Sequence, residues 1–399
     1  MEQPKLESMR LKNFKAFADV EINHLPKFAV FVGANGAGKS TIFSVFGFLK
    51  DALNGNVNTA LSKLGGSRGL REIRSRGRDN EPIEIELKFK EGSDSPLITY
   101  FLSINETAAG FAYVEKEQLK YRRGSKGQPW LFLNFANGEG DAVENELDRV
   151  KDPKDLQRER QTLKAKDILA VKGLAQFEKF PAVKTLGNLI ENWHVSDFHI
   201  THARQYQDAG YAAHLSREGE NLSLVIQYLY QNHRTVFDRI RENLKNRIPG
   251  IDNIDAKTTE EGKVLLKFQD AAFAEPFLSK FVSDGTMKML AYLVLLYDPA
   301  PYPLLCVEEP ENQLYHSLLA ELAEEFRAYA HRGNQVFVST HSPDFLNAVE
   351  LDEVFWLEKV KGYTQVRRAG EVPQIRAYME NGDKMGYLWE QGFFAGVAP

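Results

Sequence analysis

Apolar runs that end in small or charged residues mark three strands of this chain. KFAVFVGANGAGKSTIFSVFGFLKDAL, from Lys27, has the pattern of a buried strand, a glycine loop and an amphipathic helix. PLLCVEEPEN, from Pro303, and NQVFVSTHSPDFL, from Asn334, each predict another buried strand with polar residues at its end. Because ligands bind at the carboxyl ends of strands in α/β sheets, the pattern predicts a site where these strands end.

Alternating apolar and polar residues predict a second kind of strand before residue 140. PIEIELKF, LITYFLSIN and GFAYVEKEQLKY each have the pattern of a half-exposed strand. Since the three segments follow one another closely, we predict a β-meander.

The chain becomes highly charged from about Asp141 to Thr185. Val150, Leu156 and Leu163 recur there at near-heptad spacing, which predicts a short helical arm. A solvated helix on the protein body is favoured over a long coiled coil.

A second helical run, ENLSLVIQYLYQNHRTVFDRIRENLKNRI, ends before Pro249 and Gly250. A short hairpin containing KVLLKFQD and a compact α/β stretch follow it. The predicted fold is therefore α/β, a mixed sheet with a β-meander and an α-helical insertion. We predict an N-terminal lobe at 1–140, a mainly helical insertion at 141–280 and a C-terminal lobe at 281–399.

Composition narrows the class of protein. The 399 residues are 43% hydrophobic and 26% charged, which is typical of a soluble globular protein. No apolar run reaches the roughly 20 residues that span a bilayer, and the N-terminus has no apolar section typical of a secretion signal. The single cysteine, Cys306, fits a reducing cytoplasm. With a net charge of -5, the chain could bind nucleic acid only through a local basic patch.

The glycine loop fits the phosphate-loop pattern G-x-x-x-x-G-K-[ST] at Gly33, Gly38, Lys39 and Ser40. Its glycines let backbone N–H groups turn toward phosphates, and the following helix presents its positive end. We predict that Lys39 neutralises the β- and γ-phosphates of ATP and that Ser40 binds Mg²⁺. The complete predicted phosphate-binding loop is Gly33, Ala34, Asn35, Gly36, Ala37, Gly38, Lys39, Ser40 and Thr41. The alternative, a glycine turn that binds nothing, is disfavoured by the complete spacing.

Two carboxylates and a histidine stand at the ends of the other two predicted strands. Glu308 is predicted to hold the water shell of Mg²⁺, and Glu309 to polarise the attacking water. His341, beside a γ-phosphate, could donate a hydrogen bond to it. Taken singly, the carboxylates could form an ordinary acidic turn and His341 could be an ordinary loop residue.

A serine–glycine turn before a helix, in FVSDGTMKMLAYLVLL from Phe281, resembles the LSGGQ signature of ABC-type ATPases. Ser283 and Gly285 match that signature, whereas Asp284 and Thr286 depart from it. In that family the serine and the glycine N–H groups bind the γ-phosphate that the other subunit holds. The resemblance therefore implies that Ser283 and Gly285 bind nucleotide across a dimer.

In this order, the four motifs resemble the RecF/SMC-like branch of ABC ATPases, within the P-loop NTPases. The chain is most similar to the compact bacterial "predicted ATPase" family, found in phage-defence systems such as Septu and retrons. The motifs that carry the resemblance are LESMRLKNFKAF, REGENLSLVIQYL, SDGTMKMLAYL, VEEPENQLYHSLLAEL, VSTHSPDFLNAV and GYLWEQGFFAG.

The resemblance implies further residue roles. Lys15, after the opening strand, is expected near the nucleotide. Glu308 stands where most ABC proteins have aspartate, and Tyr315 replaces a histidine common in this family. Gln205 and Gln207 are the candidates for the glutamine that connects the two lobes through Mg²⁺.

The implied activity is Mg²⁺-dependent ATP hydrolysis by a homodimer that closes head to tail, with larger assemblies left open. Such a cytoplasmic switch would control a separate effector, a nuclease being the favoured class, in phage defence or DNA maintenance. The alternative is a structural assembly protein in which nucleotide fixes the oligomer geometry with little turnover. A transporter ATPase is disfavoured because the predicted helical insertion does not match that architecture.

Two other features have ordinary explanations. His199 and His202 form an H-x-x-H, but without H-E-x-x-H or a cysteine pair a metal site is disfavoured. Basic runs from Arg68 and Tyr121 could contact DNA, although solvated loops explain them equally well. The arginines of the first run are Arg68, Arg71, Arg74, Arg76 and Arg78.

Overall fold

Three β-sheets organise the computed structural model, which describes residues 3–65, 69–124, 127–148, 150, 152–273 and 275–394. The strands are β1 Lys5–Phe14, β2 Phe17–Ile22, β3 Phe28–Gly33, β4 Ile83–Lys90, β5 Ile98–Glu106, β6 Ala112–Tyr121, β7 Trp130–Ala136, β8 Glu139–Val143, β9 Arg158–Thr162, β10 His194–Ser196, β11 Gln207–Asp208, β12 Ile251–Thr258, β13 Lys263–Asp270, β14 Phe277–Leu278, β15 Leu304–Glu308, β16 Gln335–Thr340, β17 Val354–Val360 and β18 Tyr363–Arg368. The α-helices are α1 Lys39–Asn54, α2 Val57–Gly65, α3 Leu70–Ile73, α4 Ala170–Leu174, α5 Pro181–Asn192, α6 Ile200–Ala203, α7 Leu222–Asn232, α8 Arg234–Arg247, α9 Asp284–Leu296, α10 His316–His331, α11 Pro343–Leu346, α12 Pro373–Glu380 and α13 Met385–Glu390.

The central sheet has the order β10-β15-β16-β3-β17-β18. Every neighbouring pair is parallel except β17 with β18. All residues of β3 and β16 are buried, because the sheet is covered on both faces and apolar side chains can point either way. The three buried strands predicted from the sequence are confirmed as β3, β15 and β16.

An eight-stranded antiparallel sheet, ordered β2-β1-β4-β5-β6-β7-β8-β9, contains the predicted meander. β4 alternates strictly between buried and half-buried residues, as expected for a sheet with one face on the core. The meander prediction is confirmed, with β4, β5 and β6 as consecutive antiparallel neighbours.

Two apolar cores lie on the two faces of the central sheet. Ala29 and Phe31 belong to the core under the antiparallel sheet, whereas Val30 and Val32 belong to the other core. Apart from the shared central strands, the first core draws its residues from the chain up to Trp193, and the second draws them from Phe198 onward. The predicted boundaries at 140/141 and 280/281 therefore do not coincide with the division in packing.

The predicted helical arm after Asp141 is wrong. β8 and β9 pair antiparallel and extend the meander sheet instead. Their charges form cross-strand ion pairs, such as Arg160 with Glu139 at 3.3 Å, so a charged segment can be a strand here. Leu156 and Leu163 pack against the first core from non-helical segments, which explains their spacing without a helix.

The second predicted helical run is two helices, α7 and α8, separated at His233. The backbone of His233 leaves the helical region, with φ -135° and ψ 55°. The predicted hairpin is confirmed as β12 and β13, which belong with β11 and β14 to a small third sheet. Among the described residues, no helix is both long enough and apolar enough to cross a membrane.

Two buried glutamates hold the starts of α4 and α5. Glu117 accepts hydrogen bonds from the backbone N–H groups of Ala170, at 2.5 Å, and Val171, at 3.1 Å. Glu146 accepts one from Ala182 at 2.9 Å. Burial raises the pKa of each carboxyl to about 7, although these hydrogen bonds oppose the rise.

We expect the free energy of unfolding to fall as pH rises from about 4.5 to about 7. The folded protein keeps a proton on Glu117 in this window, whereas the unfolded chain releases it, because the pKa is raised on folding. Glu117→Gln should flatten this dependence by up to about 3 kcal/mol in urea titrations at pH 5 and pH 8. Glu115→Gln, on the half-buried face of the same strand, is the matched control. An unchanged pH dependence in Glu117→Gln would contradict the prediction.

Candidate nucleotide-binding site

The glycine loop between β3 and α1 is shaped for close backbone packing. Gly36 and Gly38 have φ of 77° and 105°, a region that favours glycine. A Cβ at Gly33 would lie 2.9 Å from the carbonyl oxygen of Leu357, and one at Gly38 would lie 2.9 Å from Thr364 Oγ1. The glycines of the phosphate-loop pattern are therefore also required by the neighbouring strands.

Lys39 lies inside this loop with a side chain only 5% exposed. Its Nζ donates a hydrogen bond to the carbonyl oxygen of Gly33 at 2.7 Å and lies 3.8 Å from Glu309 Oε1. Burial lowers the pKa of Lys39, while the carboxylates of Glu309 and Glu311 oppose that change. A phosphate beside Nζ would supply a strong acceptor to this buried cation.

Ser40 and Glu308 form the candidate metal side of the site. Burial raises the pKa of Glu308, which a hydrogen bond with Ser40 opposes. Mg²⁺ prefers oxygen ligands and commonly combines one or two protein oxygens with phosphate and water, so this pair fits it. A bound Mg²⁺ would neutralise phosphate charge here. Within the described ranges, no three His, Cys, Asp or Glu side chains could hold a metal together.

Ser40 and Glu308 line a cleft of about 480 Å³ together with three residues of other elements: Lys15, Asp197 and Arg217. Lys15 was expected near the nucleotide, whereas Asp197 and Arg217 were not predicted. Asp197 directly follows β10, and the parallel pairing of β10 with β15 brings it to the same sheet edge as Glu308. From the sequence, Gln205 and Gln207 are the polar residues predicted to serve after this strand, whereas β10 already ends at Ser196.

Glu309 is held in an unusual backbone conformation at the end of β15. Its φ is 41°, and its N–H donates to the carbonyl oxygen of Ser339 at 2.9 Å. Asn312 Nδ2 donates to Oε2 at 3.1 Å, and His341 Nδ1 lies 3.4 Å from Oε1. The carboxylate is therefore fixed between β15 and β16 and close to Lys39.

Glu311 is a further carboxylate of this cluster that sequence reasoning missed. Its Oε1 accepts hydrogen bonds from Thr340 Oγ1 at 2.7 Å and from the N–H of His341 at 2.9 Å. His341 Nδ1 lies 3.3 Å from the same oxygen, so the imidazole stands between Glu309 and Glu311. Both glutamates therefore approach the same ring nitrogen of His341.

The serine–glycine turn lies at the start of α9. Ser283 is its N-cap residue and accepts a hydrogen bond from the N–H of Thr286 at 3.2 Å. Arg204 forms an ion pair with Asp284 at 2.6 Å. In the described part of the chain, no hydrogen bond or ion pair joins Ser283 or Gly285 to residues 33–41. Lys39, Glu309 and His341 form one cluster, whereas the turn lies against Gln313 and Tyr315 of the loop that follows Glu309.

The glutamines predicted to connect the lobes do not line the cleft. Gln205 is exposed after α6, and Gln207 pairs with Val264 in the third sheet. The cleft-lining position after the edge strand of the central sheet belongs to Asp197 instead. Tyr315 is 72% exposed beside Gly285, so it faces away from the core.

The basic run from Arg68 is only partly a surface feature, and Arg68 itself lies outside the described residues. Arg74 is buried, forms an ion pair with Glu106 and donates to Asn105 Oδ1 at 2.8 Å, so neither alternative, DNA contact or a solvated loop, fits this residue. Arg71 and Arg76 are exposed, and Arg78 pairs with Glu81 at 3.1 Å. In the run from Tyr121, Arg123 is half-buried and stacks over Trp130 and Phe132.

His199 and His202 have acidic neighbours instead of a shared ligand. His202 Nδ1 lies 2.8 Å from Glu218 Oε2, and His199 Nε2 lies 3.8 Å from Asp197 Oδ2. These pairs give the H-x-x-H an ordinary role on the surface.

Comparison with known proteins agrees with this architecture. A family model described as "AAA domain, putative AbiEii toxin, Type IV TA system" matches residues 28–347. No curated protein sequence matches the chain. A structure of an SMC head bound to the C-winged helix domain of ScpA is 16% identical, with a TM-score of 0.53 over 91% of this chain and 97% of that one.

An SMC head domain with an extended coiled coil, bound to the C-terminal domain of ScpA and derived from Pyrococcus furiosus, is similar too. It is 14% identical, with a TM-score of 0.54 over 95% of this chain and all of that one. The chain therefore has the fold of an SMC head, which confirms the predicted α/β P-loop fold of the ABC/SMC type.

Proposed function

The chain belongs to the AAA-domain family whose description names the AbiEii toxin, and from this premise we propose an ATP-hydrolysing switch that controls a separate effector. The proposal rests on two short distances to Glu309 Oε1. Lys39 Nζ lies 3.8 Å from this oxygen, and His341 Nδ1 lies 3.4 Å from it. A buried cation can stabilise the charge of phosphate, and a fixed carboxylate and an imidazole can act as base and hydrogen-bond donor in phosphoryl transfer to water.

Each residue of the proposed site has its own role in the hydrolysis of ATP. Backbone N–H groups of residues 33–41 and the start of α1 bind phosphate, and Lys39 neutralises it. Glu309 accepts a proton from the attacking water, and His341 donates a hydrogen bond to the γ-phosphate. Ser40 and Glu308 would hold Mg²⁺.

Ser283 and Gly285 complete the site of a second copy. Because no hydrogen bond or ion pair of the described residues joins them to residues 33–41 of their own chain, we propose that two chains close head to tail around two ATP molecules. ATP would then stabilise the closed dimer by mass action, and hydrolysis would loosen it. Larger assemblies would be built from this dimer.

A nuclease remains the favoured class of effector, and phage defence or DNA maintenance the favoured setting. The family description names a toxin of a toxin–antitoxin system, which supports control of a harmful activity. The similar SMC heads were solved with a domain of ScpA, which supports a protein partner for this fold. Binding of DNA by the basic runs remains a prediction from the sequence, and Arg74 is no longer among the residues proposed to contact it.

The competing function is a nucleotide-dependent scaffold with little turnover. A scaffold needs Lys39 for binding but has no use for a carboxylate and an imidazole fixed beside it. Multiple-turnover hydrolysis of ATP with Mg²⁺ would support the switch, and binding without turnover would support the scaffold.

Lys39→Ala is expected to weaken ATP binding by about 10- to 100-fold, since a hydrogen bond to a charged group is typically worth about 1.5–3 kcal/mol. At ATP concentrations below this weakened Kd, sedimentation with Mg²⁺ should show a monomer where the parent forms a dimer. Lys384→Ala, at an exposed lysine before α13, is the control. ATP affinity equal to that of the parent would remove Lys39 from the proposed site.

A further inference from the structure

A buried lysine connects the serine–glycine turn to the loop that carries Glu309. Lys288 lies in the second turn of α9 and is only 3% exposed. Its Nζ donates a hydrogen bond to the carbonyl oxygen of Asn312 at 2.6 Å. Burial lowers its pKa to about 8, while Glu311, Asp197 and Glu309 oppose that change, so the ammonium group faces the acidic cluster.

The start of α9 touches the same loop at a second place. A Cβ at Gly285 would lie 3.3 Å from the carbonyl oxygen of Gln313 and 3.6 Å from Tyr315 Cδ2. Gln313 itself has a φ of 64°, which is uncommon for a residue other than glycine. The turn therefore lies directly against this loop, with little room for a side chain at Gly285.

Asn312 completes the connection to Glu309. Its Nδ2 donates to Glu309 Oε2 at 3.1 Å, and its backbone N–H donates to the carbonyl oxygen of Glu309 at 3.1 Å. Two hydrogen bonds, from Lys288 to Asn312 and from Asn312 to Glu309, thus join α9 to the proposed base.

We propose that Lys288 is a positioning residue for the proposed base of its own subunit. It holds Asn312, and through it Glu309, in the geometry for proton transfer. This inference rests on the proposed hydrolysis of ATP with Glu309 as the base.

Lys288→Met should lower kcat by about 10- to 100-fold, since misplacing a reacting group by about 1 Å can cost about 10² in rate. The Kd for ATP should change little, because Lys39 and residues 33–41 are intact. Lys288→Arg should recover part of the rate by restoring the donor.

Asn312→Ala, at an exposed residue, should reproduce the loss of kcat without disturbing the core. Lys280→Met, at an exposed lysine just before the turn, is the matched control.

A mixed dimer shows in which subunit the loss of Lys288 lowers the rate of hydrolysis. Pairing a Ser283→Arg subunit with a Lys39→Ala subunit leaves one intact site, formed by Lys39 and Glu309 of the first and Ser283 of the second. Lys288→Met is then added to either subunit. We expect a loss at least about tenfold greater when it is placed beside the working Glu309 than when it is placed beside the working Ser283.

The outcomes distinguish a role of Lys288 in positioning Glu309 from a role in supporting the serine–glycine turn. A greater loss beside Ser283 would show that Lys288 only supports the turn, and an unchanged kcat in unmixed Lys288→Met and Asn312→Ala would overturn the inference outright. If the mixed dimer without Lys288→Met is inactive, the shared-site function fails, whereas the kcat values of unmixed Lys288→Met and Asn312→Ala still test the positioning role. Weaker ATP binding with unchanged kcat would also contradict the positioning role.

Discussion

Glu309→Gln is expected to lower the rate of ATP hydrolysis by about 10²- to 10⁴-fold, the usual range for loss of a general base. The amide keeps the size of the carboxylate but cannot accept a proton from water. ATP should stay bound, because the variant leaves Lys39 and the glycine loop unchanged and removes a negative charge 3.8 Å from Lys39 Nζ.

Phosphate release with Mg²⁺ measures the rate, and equilibrium binding of ATP measures the affinity. The variant should also accumulate as an ATP-bound dimer in sedimentation, since the γ-phosphate persists. Glu324→Gln, at an exposed position of α10, is the matched control. Hydrolysis at the parental rate would remove Glu309 from its proposed role.

The parts of the site that follow from local sequence were predictable. The phosphate loop requires only a strand, its glycines and a helix, and these are adjacent in the chain. The approach of Glu309 and His341 follows from one further rule, that parallel strands end at the same edge. Their proximity was therefore predictable although 31 residues of chain separate them, as the pairing of β15 with β16 confirms.

The missed residues depend on contacts between distant segments. Asp197 reaches Glu308 only because β10 joins the edge of the central sheet beside β15. Arg74 looks like part of a solvated run, but Glu106 and Asn105 pair with it from β5. Neither contact leaves a periodic pattern in the sequence.

The prediction of a helical arm was wrong for a related reason. Near-heptad spacing at Val150, Leu156 and Leu163 marks residues that return to the core, and non-helical segments can return at the same interval. The charges between them predicted a solvated helix face, whereas β8 and β9 pair such charges across strands. Tertiary pairing thus overrode the local pattern.

The shared site predicts that two inactive variants recover activity when mixed. Ser283→Arg places a bulky cation where the partner's γ-phosphate would bind, so it should bind ATP through Lys39 without hydrolysing it. Lys39→Ala keeps its turn but loses its own phosphate contact. Each variant alone lacks one half of both sites and should be nearly inactive.

Mixing restores one complete site in every mixed dimer, because the two-fold arrangement brings the intact Lys39 of one subunit to the intact Ser283 of the other. Equal mixing should recover up to roughly a quarter of the parental rate, since half of the dimers are mixed and each has one of two sites intact. Phosphate release after mixing measures this recovery, and differently tagged subunits confirm that mixed dimers form. If mixed dimers form and stay inactive, Ser283 does not act on the partner's nucleotide, and ATP must be hydrolysed within one chain or by another arrangement of two.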